Sequence, residues 1–98
     1  MLITTIPYKG CYPERDGGLW YVVTATHDSR LGEDFRSKDA AIAFLKWLQG
    51  EPMPDGWEIE NRKHRHCDLV CQKDWLHATI WTAVVAEWFP ARAAEVLP

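Results

Sequence analysis

The stretch Asp74–Phe89, DWLHATIWTAVVAEWF, constrains this chain most, because it offers apolar residues on almost every side. Its spacing predicts a helix with Asp74 as N-cap, the carboxylate accepting from the free amides of the first turn. On the wheel Leu76, Ile80, Ala83 and Val84 make a core face, and His77, Trp81, Val84 and Trp88 make a second stripe beside it. Thr79, Thr82 and Ala86 fill the remaining arc. A helix with so little polar surface must be covered by a sheet or by a partner.

The rest of the composition suits a single domain spanning residues 1–98, with 91–98 as a helical or frayed tail. Hydrophobic residues are 47% and charged residues 26% of the 98, a balance that supports one core and argues against a disordered chain. The six tryptophans are large apolar plates with one N–H each, suited to cores and to interface centres. A net charge of −3 gives no basic footprint for nucleic acid over the whole domain. The first ten residues lack a positive segment followed by an apolar run, and the last apolar stretch carries Glu87 and meets Pro90. The expectation is a cytoplasmic protein without membrane insertion, its three cysteines reduced.

Taken in order, Leu2 to Tyr12 has strand character, with Pro7 confining it to an edge or a bulge. Asp16-Gly17 marks a tight turn, which would set Tyr12 opposite Tyr21 and Cys11 opposite Val22. Leu19–His27, LWYVVTATH, is the clearest strand, and Glu33–Arg36 makes a short third one around Phe35. Ser37 caps a helix that runs to Gly50, with Ala41, Phe44, Leu45 and Leu48 inward and Trp47 at the solvent boundary. Between Trp57 and Gln72 a hairpin pairs Trp57 with Cys71, Ile59 with Leu69 and Asn61 with Cys67, leaving Arg62–His66 as its tip. That register sets Glu60 against Asp68, an unfavourable pair of like charges. The order β-β-β-α-β-β-α predicts an α+β fold, an antiparallel sheet with two helices packed on one face. Its rhythm hints at a duplicated unit, although no residue-by-residue similarity accompanies it.

Three groups of residues could carry function. His64, His66, Cys67 and Cys71 have the donor chemistry of a zinc site, but their spacing matches no usual framework, and buried free cysteines beside solvated histidines are the plainer account. Arg62, Lys63 and Arg65 concentrate positive charge at the hairpin tip, where a phosphate backbone could be clamped with Trp57 as a stacking plate. A solvated turn is the plainer account of that tip. Trp81, Trp88 and His77 on the last helix, with Trp47, are candidate partner anchors. No nucleophile elbow or glycine-rich phosphate loop is present in the sequence, so no catalytic residue is assigned and no enzyme is expected.

These features favour a non-enzymatic protein–protein interaction module acting by steric occupancy of a larger protein. Small domains of this type include adaptors and the inhibitors encoded by phages and mobile elements, anti-CRISPR-type blockers among them. Homodimerisation through the last helix is a variant of that reading. The alternative is a nucleic-acid-binding module using the 62–66 tip, with or without zinc.

Overall fold

The computed structural model describes residues 7–98. Its strands are β1 (Tyr12–Asp16), β2 (Leu19–Val23), β3 (Arg30–Phe35), β4 (Glu58–Glu60), β5 (His66–Cys71) and β6 (Leu76–Trp81). Helix α1 (Lys38–Leu48) follows β3 and helix α2 (Thr82–Trp88) follows β6, with short helical turns at Pro90–Arg92 and Ala93–Val96. All strand pairs are antiparallel, and the sheet order is β1-β2-β3-β6-β5-β4. The class is α+β, with the helices packed on the sheet.

The order is thus three strands and a helix, twice, with β3 and β6 meeting at the centre of the sheet. The duplication hinted at by the sequence is present in the topology.

The largest difference from the expected fold lies at 74–89. Its first part is β6, and the helix begins only at Thr82. Residues four apart share a face in a strand as well as in a helix, so Leu76 and Ile80 face inward under either reading. Ala78 separates the two: it is buried with Leu76 and Ile80, while His77, Thr79 and Trp81 point the other way. What selects the strand is its neighbour. β6 sets Leu76, Ala78 and Ile80 opposite Cys71, Leu69 and Cys67 of β5, giving a continuous apolar surface. Asp74 caps nothing here; it accepts the indole N–H of Trp57 at 3.0 Å.

The 57–71 hairpin has the expected register, with Glu58 opposite Val70, Ile59 opposite Leu69 and Glu60 opposite Asp68. The first hairpin is shifted by two residues. Tyr12 lies opposite Val23 and Asp16 opposite Leu19, because the turn is Gly17-Gly18, with Gly17 at φ +64°. A slip of two leaves each side chain on its intended face. The strand expected from Leu2 falls partly outside the described residues; Pro7–Gly10 is a turn with Tyr8 and Lys9 at positive φ. The third strand is longer than expected, and register shifts against β2 let Gly32 and Phe35, three residues apart, both face inward.

α1 begins as expected, Ser37 accepting from the Ala40 amide at 3.1 Å. Its face of Ala41, Phe44, Leu45 and Leu48 packs into the core. Gly32 lets it come close: a Cβ there would lie 3.1 Å from both the Phe44 ring and the Thr79 carbonyl. Trp47 belongs to the core as well, at 3% exposure, because the C-terminal segment folds over it. Arg92 lies 4.6 Å above its ring and donates to the backbone carbonyls of Trp47 and Glu51.

α2 buries Thr82 and Val85, and its start is tied to the hairpin tip. The Thr82 hydroxyl donates to the His64 carbonyl at 2.6 Å and its amide to the Arg65 carbonyl at 3.0 Å. No helix among the described residues is long and apolar enough to cross a membrane.

Candidate partner-binding face

With both helices on one side, the other side of the sheet has no helix over it among the described residues. Strand alternation and register place Tyr12, Glu14 and Asp16 of β1 on this open face, followed by Tyr21 of β2 and Arg30 and Glu33 of β3. Beyond these come His77, Thr79 and Trp81 of β6, Asp68 and Val70 of β5, and Glu58 and Glu60 of β4.

The half around β1–β3 is tied together internally. Tyr21 donates to Glu14, which pushes the phenol pKa up, and the Arg30 guanidinium lies 3.7 Å from the Tyr21 ring centroid. Arg30 also reaches Asp16 at 3.8 Å and Glu33 at 3.6 Å. Glu33 accepts the Trp81 indole N–H at 3.0 Å. Trp81 is therefore half-buried in the middle of the face, with His66 edge-on at 5.9 Å.

The half around β4–β6 is more open. A groove of about 850 Å³ is lined there by Arg36, Glu58, Glu60, Val70, Trp75 and His77, among others. Trp75 stands at its rim, 76% exposed, in the turn joining β5 to β6. Its amide donates to the Gln72 carbonyl at 3.2 Å, and its φ is +54°. That left-handed conformation suits glycine or asparagine and is an outlier for a bulky residue. Neither packing nor backbone preference accounts for tryptophan at this position.

Of the anchors read from the sequence, Trp81 and His77 share the open face, His77 approaching Asp68 at 3.8 Å. Trp88 packs partly buried against the core, with the Lys9 ammonium on its carbonyl, and Trp47 is buried. The expected stripe of His77, Trp81 and Trp88 does not exist as one surface, because β6 ends at Trp81 and the chain changes direction into α2.

Arg62, Lys63, His64 and Arg65 are exposed at the hairpin tip. Trp57 is 9% exposed and committed to Asp74, so it provides no stacking plate beside them. Cys67 and Cys71 point into the core, and His66 lies against Trp81, so the candidate zinc ligands do not converge. Among the described residues no three His, Cys, Asp or Glu side chains are grouped to hold a metal. Burial raises the Cys67 thiol to about 11, which keeps it protonated at neutral pH.

Sequence reasoning missed Trp75, which it placed inside a helix. The signal was present in Gln72-Lys73-Asp74, a polar turn between two apolar runs. No family model, curated protein or solved structure matches the chain.

Proposed function

We propose that this protein is a non-enzymatic interaction module that occupies a surface of another protein through its open sheet face. The observation that carries this reading is Trp75: a large apolar side chain, 76% exposed, on a left-handed backbone position, at the rim of a groove. Burial of an exposed tryptophan in a partner is among the strongest single contributions to protein association. Trp81, Val70 and His77 extend the same face and supply further contact area. A different protein is favoured over a second copy of this chain. Two such faces pressed together would oppose carboxylates to carboxylates, which disfavours association.

The test is co-purification of the tagged chain from lysate of its source, identification of the retained protein, and a binding measurement with that protein purified. Trp75→Ala is expected to weaken binding by more than about tenfold, the scale of an interface hot spot, while the melting transition stays near that of the parent. Equal affinity of parent and variant would remove the open face as the docking surface. Sedimentation of the chain alone checks the homodimer, which predicts a concentration-dependent coefficient.

A further inference from the structure

We infer that the groove beside Trp75 receives an extended cationic segment of another protein, with Lys or Arg at alternate positions, laid along β4. The inference rests on the docking reading above and adds the chemistry of the partner. Three observations lead to it.

The first is charge. The open face carries six carboxylates, on Glu14, Asp16, Glu33, Glu58, Glu60 and Asp68, against the guanidiniums of Arg30 and, at the groove, Arg36. Four of the six have partners: Tyr21 for Glu14, Arg30 for Asp16, Trp81 and Arg30 for Glu33, and Asn61 with His77 for Asp68. The carboxylates of Glu58 and Glu60 make no hydrogen bond or ion pair among the described residues, and both line the groove that Arg36 also lines.

The second is a like-charge pair of which only Asp68 has partners of its own. Glu60 lies directly opposite Asp68 on the ladder, and the fold retains this pairing although like charges at that spacing are destabilising. A cation bound between them would reverse the sign of the interaction. Phosphate or an acidic segment would worsen it.

The third is spacing. β4 is one of the two edge strands, and Glu58 and Glu60 project from one side of it two residues apart, about 6.8 Å. An extended segment repeats its own side chains at the same interval, so alternate Lys or Arg residues meet both carboxylates in register. Trp75 at the end of the groove offers a ring face to a further cation, and Val70 offers apolar contact for the side-chain stems.

The experiment is an NMR titration of the labelled full chain with short synthetic peptides that alternate Thr with Lys, with Glu or with Ser, and with a mixed oligonucleotide. The Lys peptide is expected to shift Val70, His77 and the Trp75 indole, with binding that weakens as salt is added. The double variant Glu58→Gln/Glu60→Gln is expected to bind it roughly three- to tenfold more weakly, the scale of two exposed ion pairs. Its dispersed amide spectrum reports that the fold is intact. Equal binding of the Ser or Glu peptide, no effect of the double variant, shifts confined to other surfaces, or no shift at all would overturn the cationic segment. None of these results bears on whether Trp75→Ala releases the natural partner, so the docking reading stands or falls separately. Oligonucleotide shifts at this face would overturn both.

Discussion

On the proposed docking role, Trp75 sets partner binding against stability at one residue. A non-glycine side chain in the left-handed region costs roughly 1–2 kcal/mol, part of which glycine would forfeit through its freer unfolded chain. Trp75→Gly should therefore raise stability by about 0.5–1 kcal/mol in urea denaturation while removing partner binding. A loss of stability would mean that the indole packs in the fold. Cys67 makes the opposite case, a reactive group that burial silences. Its pKa is raised from 9.0 to about 11, so the thiolate is disfavoured in the folded chain relative to the unfolded one. The sign follows from linkage: the contribution is complete below pH 9.0 and is lost as pH climbs toward about 11. Stability measured across that window should fall with pH, and Cys67→Ala should flatten the decline; an unchanged slope would assign it to other groups.

At the scale of elements, legibility followed whether local pattern and tertiary demand agreed. α1 was readable from Ser37 to Gly50 because cap, periodicity and terminator all pointed to a helix. The β4–β5 register was readable because a single slip would have exposed Leu69 and Cys67. β6 was not, since Leu76 and Ile80 satisfy a strand and a helix alike and the decision came from the unpaired side of β5. With β6 misread, its outward residues His77 and Trp81 were joined to Trp88 in a helix stripe that the fold divides. Trp47 was misjudged for a related reason: its cover comes from Arg92, far along the chain. That contact gives a prediction. Arg92 donates to the Trp47 and Glu51 carbonyls and to Glu95, and Arg92→Ala should cost about 2 kcal/mol by removing these charged hydrogen bonds and the guanidinium over the Trp47 ring, although the Trp47 carbonyl keeps the Gly50 amide. A shift of the urea midpoint too small to resolve would make the C-terminal segment an ornament on the core, not part of it.

For the whole molecule, two three-strand-and-helix halves join through β3 and β6, placing both helices on one side and leaving the other without a helix among the described residues. The charge follows the same division. The basic tip at Arg62–Arg65 and the groove at Trp75 lie at opposite ends of β5, about 20 Å apart, so the open face is polar along its length. A sequence that balances to −3 hides this, because net charge carries no information about which side of a sheet each residue takes. The central claim is that the partner sits on the helix-free side at the Trp75 end. The most direct measurement is amide hydrogen exchange of the chain alone and in its isolated complex. We expect added protection in 58–60, 70–71 and 75–79, with α1 and α2 unchanged. Protection confined to either helix, with the sheet amides exchanging as in the free chain, would contradict the account.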